Sequence, residues 1–327
     1  MPRDRKGTFS TELFERYQRS EKALVLALME MVVQGVSTRR VKKITERLCG
    51  RAFSKSTVSR LCQQLDVRVE AWAERPLDQA SYPFLMVDAM HVTVRRQGAL
   101  RSTTVMLAIG VIEEGYREIL GIDLYFKETG EAWADFLQQL RDRGLRCVEF
   151  VASDAHEGLA QALRERFPGA VWHRCQAHFR RNVSDETPET HRDELHRWLD
   201  RILEADSSEE AREALTAAQE ALGGKADRAL EKLENGFEDA TAVLSLPKTY
   251  RLRLRTTNGL ERFIEEIRRR VKVIRIFPNL RSAWRLIGAR CAEQHEEWST
   301  GRRYFNMESF YAWKRSFEEP APIARAA

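Results

Sequence analysis

The sequence predicts an α/β fold: a mixed five-stranded sheet with an all-helical insertion, preceded by a helical N-terminal region. Three observations predict it. Between Tyr82 and Phe126, the β-rich runs "PFLMVDAMHVTVRRQG", "TTVMLAIGVIEEG" and "YREILGIDLYF" follow one another across short glycine-containing turns, the pattern of an antiparallel meander. From 130 to 174, helical and strand periodicities alternate. After His178 the strand signal disappears and helical spacing takes over.

The elements follow in order. Residues 9–34 carry helical spacing in Leu13, Phe14 and Tyr17, and again in Leu24, Leu26, Leu28 and Met29. In "VSTRRVKKITERLCGRAFSKSTVSRLCQQL", Val41, Ile44 and Leu48 share one helix face, Gly50 breaks it, and Val58, Leu61 and Leu65 share a second that Ser54 or Ser56 can cap. Residues 37–66 thus have the size and pattern of a helix-turn-helix within a helical region 1–80, with Lys55, Ser56, Thr57 and Arg60 on the outer face of the second helix. A generic helical hairpin gives the same pattern. After the three strands come a helix at 130–143, a strand at 146–152 running to Asp154, a helix at 156–166 and a strand at 170–174. Three strands, helix, strand, helix, strand is the order of a ribonuclease-H-like core, placed at 81–178. In 189–204, Leu195, Trp198, Leu199, Ile202 and Leu203 fall at i, i+3, i+4, i+7 and i+8, and similar spacing fills an insertion spanning 179–255. Helices at 258–272 and 281–298 complete the core within 256–315, and the small, proline-containing tail 316–327 reads as disordered.

A chain of 327 residues, 43% hydrophobic and 31% charged, can bury a substantial core in about two or three domains. Its longest early apolar run, "ALVLALMEMVV", is broken by Glu30 and too short to span a bilayer, so a cytoplasmic protein is expected. Cysteines 49, 62, 147, 175 and 291 are odd in number and scattered, which favours reduced thiols over a disulfide framework. The net charge of +5 is modest, but arginine and lysine bunch in "STRRVKK", "HFRRN" and "RLRLRTTNGLERFIEEIRRRVK". Such clusters favour a polyanionic partner such as nucleic acid, although solvated helix faces also carry them.

Three carboxylates stand out. Asp88 sits inside "FLMVDAMHV", a run suited to a central strand, where a carboxylate costs several kcal/mol unless it is paired or metal-bound. An arginine partner would satisfy it; a metal is the favoured reading. Asp154 ends "VASD", and could instead cap the next helix with Glu157 three residues on. In the expected core, the first and fourth strands are neighbours, so Asp88 and Asp154 face each other. A third carboxylate is sought in "TTNGLERFIEEIRRR", where Glu261 and Glu265 share a face. There too a cap fits, with Asn258 at the helix start, Glu261 at its third position and Glu265 paired with Arg269. Carboxylates so placed make an open oxygen site for Mg²⁺. Two ions roughly 3.5–4 Å apart can activate a water or 3′-hydroxyl and stabilise the leaving oxygen of a phosphodiester.

"VDA" at 87–89, "SDAHEGL…FPGAVWHRCQAHFRRN" at 153–182 and "TTNGLERFIEEIRRRVKVIRIFPN" at 256–279 are three ordered, separated blocks. In them the sequence resembles the bacterial Mutator-type insertion-sequence transposases, from "STRRVKKITERLCGRAFSKSTVSRL" to "EQHEEW". The resemblance implies an Asp-Asp-Glu triad falling on Asp88, Asp154 and Glu261, as catalytic residues and as ligands of Mg²⁺ for which Mn²⁺ can substitute; Glu265 is the reserve. The family's Cys-x-x-His element falls on Cys175 and His178, where a packing or site-shaping role is expected; structural zinc is not, because this half-site has no second half at the usual spacing. The implied partner is DNA, both terminal inverted repeats and target, bound by a homo-oligomer on paired ends. Arg262, Arg268, Arg269, Arg270 and Lys272 would hold phosphates, with Arg180 and Arg181 as weaker candidates.

The expected activity is end binding, metal-dependent cleavage and strand transfer of the freed 3′-hydroxyl. The alternatives are a catalytically inactive or truncated DNA-binding relative acting as a regulator, and a stand-alone nuclease of the same fold. Two departures bear on this. Family members usually carry a longer N-terminal DNA-binding region, so recognition of element ends is expected to be incomplete. His173 stands where Gln is common and Arg166 where a small residue is usual, neither expected to touch the triad.

Overall fold

A computed structural model of the chain describes residues 26–49 and 53–318. The expected helical residues 9–25 lie outside these; helix α1 covers 26–33. Helices α2 (Thr38–Cys49), α3 (Lys55–Cys62) and α4 (Leu65–Ala73) follow. Ser54 caps α3, its hydroxyl accepting from Thr57 N at 3.1 Å. Leu28, Met29, Val41, Val58 and Cys62 bury together with half-buried Leu61 and Leu65 packed beside them, whereas Leu26, also counted in the helical spacing, is 55% exposed, and the Leu48 side chain lies outside the described residues. Leu65 opens α4 rather than continuing α3.

The sheet is mixed and five-stranded, in the order β3-β2-β1-β4-β5. Strands β1 (Phe84–Arg96) and β2 (Ala99–Val111) flank a two-residue turn at Gln97 and Gly98, whose φ values of 48° and 79° suit the strand twist. Strand β3 (Arg117–Tyr125) pairs antiparallel with β2, while β4 (Phe150–Ser153) lies parallel to both β1 and β5 (Val171–Arg174). Helices α5 (Gly130–Asp142) and α6 (Glu157–Arg166) make the two crossovers, β3 to β4 and β4 to β5. Trp133, Phe136, Leu137 and Leu140 of α5, with Leu159 and Leu163 of α6, bury against Leu85, Val87, Met106 and Val151 of the sheet. The two helices start in contact, since a Cβ on Gly158 would lie 2.7 Å from the Gly130 backbone.

Strand β4 begins at Phe150, four residues later than expected. Cys147 adopts φ 60°, and the amides of Glu149 and Phe150 both donate to the Pro83 carbonyl, just ahead of the first residue of β1. The neighbouring strand therefore offers no ladder for 146–149, and Arg146 and Glu149 give that stretch little apolar character to demand one.

Beyond β5 every regular element among the described residues is helical, as expected: α7 (Gln176–Asp185), α8 (Arg192–Leu203), α9 (Ser208–Leu222), α10 (Asp227–Thr241), α11 (Lys248–Leu254), α12 (Asn258–Ile274), α13 (Leu280–Thr300) and α14 (Met307–Glu318). Leu195, Leu199, Ile202 and Leu203 of α8 bury with Phe179, Leu215, Leu233 and Phe237 in a separate apolar cluster. The tail expected to be disordered from 316 gives its first three residues to α14; 319–327 lie outside the described residues.

The chain forms two compact units, whose boundaries cut α4, β1, β2, α12 and α13. One holds the described residues up to Trp72, with Val92–Arg101 and Glu265–Arg290; the other holds Ala73–His91, Ser102–Ile264 and the rest from Cys291. In the first, Asp66 is buried under ion pairs from Arg281 and Arg285, and Val94 bridges to Phe277. Among the described residues, no helix is long and apolar enough to cross a membrane.

Candidate active site

The middle of one strand, the end of another and the start of a helix, all in the larger unit, bring the three carboxylates into one charge field. The parallel register pairs Met86 with Ala152, so continuing it by two residues sets Asp88 level with Asp154. Asp154 follows directly on β4, where Trp172 Nε1 donates to Ser153 Oγ at 2.9 Å and Ser153 Oγ donates to the Asp154 carbonyl at 2.8 Å. The capping account of Asp154 does not describe this geometry. Helix α6 starts at Glu157 with His156 in the cap position, and Asp154 Oδ1 receives only a long 3.4 Å bond from His156 N.

Glu261 is delivered by the first turn of α12, which is tied to the end of β5. Gln176 N donates to the Arg255 carbonyl at 2.9 Å, His173 Nε2 lies 3.1 Å from that same oxygen, and Thr257 N donates to Cys175 Sγ at 3.4 Å. Here too the cap expectation differs from the structure. Asn258 is the first helical residue, and Glu261 Oε1 accepts from Thr257 Oγ1 at 3.1 Å while standing 3.5 Å from His178 Nε2. Glu265 is exposed, and Arg269 pairs with Glu266 rather than with it. Of the two candidates for the third carboxylate, Glu261 is the one whose charge reaches Asp88.

Electrostatics reflect this crowding. Burial above all, with the Asp154 and Glu261 charges, pushes the Asp88 carboxyl up to about 7, against an Ala89 amide bond of 2.7 Å and the nearby His178. No lysine or arginine forms an ion pair with Asp88 or Asp154 among the described residues, so the arginine partner that would have explained Asp88 is not there. Burial alone would raise the Cys175 thiol, but His178 and Thr257 outweigh it and bring it down. The Cys175 sulfur, aided by Glu261 and Asp88 and opposed by burial, lifts His178 to about 9.

Asp88, Asp154 and Glu261 share a field of excess negative charge, with no lysine or arginine ion-paired to the two aspartates among the described residues, although their oxygens do not all lie within 4.8 Å of one another. Cys175 Sγ, a His178 nitrogen and a Glu261 oxygen lie within 4.8 Å of one another, yet Sγ already receives the Thr257 amide, and no fourth donor joins them among the described residues. Thr257 is the residue that sequence reasoning missed. Its only signal was its place ahead of a helix, which reads as an ordinary cap.

The candidate DNA-binding residues fare unevenly. Ser56 and Arg60 are exposed and Thr57 is half-buried; the Lys55 side chain lies outside the described residues. Arg262, Arg268, Arg269 and Lys272 are exposed, although Arg269 is paired with Glu266. Arg270 departs from the expectation of a phosphate contact. It is 5% exposed and donates to the Val33 carbonyl at 3.1 Å and to Gln34 Oε1 at 2.7 Å, while also pairing with Glu266, because its place on α12 turns it inward.

Comparison with known sequences agrees with the three-block pattern. Residues 1–301 match the family described as "Transposase, Mutator family". The chain is 44% identical over 315 residues to the transposase for insertion sequence element ISRM5 of Rhizobium meliloti, covering 96% of this chain and 79% of that relative. It is 42% identical over 311 residues to the transposase for element IS256 in transposon Tn4001 of Staphylococcus aureus, covering 94% and 80%. It is 38% identical over 325 residues to the transposase for IS1081 of Mycobacterium tuberculosis, covering 98% and 78%.

Proposed function

Because this chain belongs to the Mutator family of transposases, we propose that its sheet is a ribonuclease-H-like core and that Asp88, Asp154 and Glu261 are its catalytic Asp-Asp-Glu triad. The enzyme is a transposase, and its substrate is DNA: the terminal inverted repeats of an insertion sequence, and the target that receives them. One observation carries the assignment. Carboxylates from β1, the end of β4 and the start of α12 share one charge field, in which burial first, and the Asp154 and Glu261 charges after it, raise the Asp88 carboxyl to about 7.

In this reading Asp88 and Asp154 present oxygens from neighbouring strands, Glu261 adds a third from the helix, and together they hold two Mg²⁺ ions, or Mn²⁺ in their place. Divalent cations bound there supply the charge that activates a water or 3′-hydroxyl and stabilises the leaving oxygen. Arg262, Arg268, Arg269 and Lys272 contact phosphates, contributing a salt-dependent share of affinity. Residues 37–66 act as a helix-turn-helix with Lys55, Ser56, Thr57 and Arg60 toward DNA, and 179–255 form a helical insertion in the core. The active form is a homo-oligomer on paired ends, working in the cytoplasm.

The test is cleavage and joining of a labelled duplex carrying the element's end, with Mg²⁺ or Mn²⁺, comparing the wild type with Asp154→Asn. Metal-dependent, end-specific products that vanish in the variant are the expected result. Equal cutting by both proteins would remove Asp154 from the chemistry. Binding without cutting by either would leave a DNA-binding regulator in place of an active enzyme.

A further inference from the structure

We infer that Thr257 is a positioning residue for the third carboxylate: its hydroxyl, backed by the Cys175 sulfur, fixes Glu261 through one oxygen and leaves the other for the cation. The inference rests on the reading of Glu261 as a metal ligand.

Thr257 is fully buried, and its Oγ1 lies 3.1 Å from Glu261 Oε1 and 3.3 Å from Cys175 Sγ. A hydroxyl has a single proton, so it can donate to only one of them at a time. The bond to a carboxylate is charge-assisted and roughly twice as strong as a neutral one, so the proton belongs to Glu261. Cys175 then sits behind the hydroxyl and also receives the Thr257 amide at 3.4 Å, holding the residue from the strand side.

An ordinary cap does not account for this arrangement. The Thr257 carbonyl accepts from Leu260 N and Glu261 N as a helix start requires. Its side chain, however, goes to a side chain four residues on, where a capping threonine would instead accept from an amide of the first turn. His178 Nε2 approaches the same Oε1 at 3.5 Å. Both protein contacts therefore fall on one oxygen of Glu261, and no described residue donates to Oε2. An otherwise mobile glutamate is held in one rotamer with one oxygen presented.

Partners that orient a metal ligand typically contribute 10–100-fold in metal affinity. The test measures Mn²⁺ binding by calorimetry on the full chain for the wild type, Thr257→Val, Thr257→Ser and Glu261→Gln, with thermal denaturation of each in chelator. Thr257→Val keeps the shape and loses the hydroxyl; it is expected to weaken Mn²⁺ binding about tenfold or more. Thr257→Ser restores the hydroxyl and is expected to bind within about twofold of the wild type on the same reasoning. Strand cleavage by Thr257→Val is expected to recover as Mn²⁺ is raised. Should the valine variant not fold, Thr257→Ala is read in its place. Wild-type affinity in a folded hydroxyl-free variant, or an equal loss with serine and valine, overturns the inference. Unchanged Mn²⁺ binding by Glu261→Gln would instead overturn the ligand role of Glu261 itself.

Discussion

Replacing Asp88 with asparagine should stabilise the metal-free protein at pH 8 while removing most of its response to metal. The carboxyl is pushed from an ordinary 3.8 up to about 7, chiefly by burial. A raised carboxyl binds its proton more tightly in the folded than in the unfolded chain, so between about pH 4 and 7 folding takes up protons and stability falls as pH rises. Above pH 7 the penalty is complete. About three pH units at about 1.4 kcal/mol each give an upper bound of about 4 kcal/mol; water penetration and local relaxation bring the expectation nearer 2 kcal/mol. Asparagine keeps the shape and carries no charge, so the comparison with wild type isolates this group from the histidines that titrate over the same range. The assay is urea denaturation in chelator at pH 5 and pH 8, repeated at pH 8 with Mn²⁺. Wild type should lose about 1 kcal/mol relative to the variant between the two pH values, because more than a third of the penalty is already present at pH 5, and Mn²⁺ should stabilise the wild type far more. A variant less stable than wild type at pH 8 without metal would refute the reasoning, because an ionised Asp88 would then have to be satisfied by a cationic side chain.

Two further outcomes separate packing from binding. Phe84 is fully buried against Phe150, Tyr250, Phe305 and Phe310, with ring centroids 4.9–6.5 Å away, so Phe84→Ala should cost about 3–5 kcal/mol in denaturant melts. Arg270→Ala strands the Val33 carbonyl, while Glu266 keeps Arg269, and should cost about 1–3 kcal/mol, whereas exposed Arg268→Ala should leave stability within about 0.5 kcal/mol and lower DNA affinity in a salt-dependent way.

What the sequence determined by itself was local or periodic. Alternation and glycine turns placed the strands, with Gln97-Gly98 at the first hairpin, and helical spacing marked Leu195, Leu199 and Ile202 as an inner face. A carboxylate inside an apolar run already singled out Asp88, because burying charge is costly wherever the run ends up. Membership of a transposase family was legible in three separated blocks for the same reason: each is a short stretch that can be read alone.

What only the tertiary structure decided depends on distant residues meeting. Cys175 and Thr257 are 82 positions apart, and nothing local to either announces that a buried hydroxyl will turn from its own helix to Glu261. The caps that Asp154 and Asn258 could have formed were sound local readings, and the chain declined both. The late start of β4 followed from where β1 begins, and the inward turn of Arg270 from the carbonyl of Val33, more than two hundred residues earlier. Periodicity reports which face of an element is apolar, while charge pairing, side-chain diversion and strand length depend on partners that only the folded chain brings within reach.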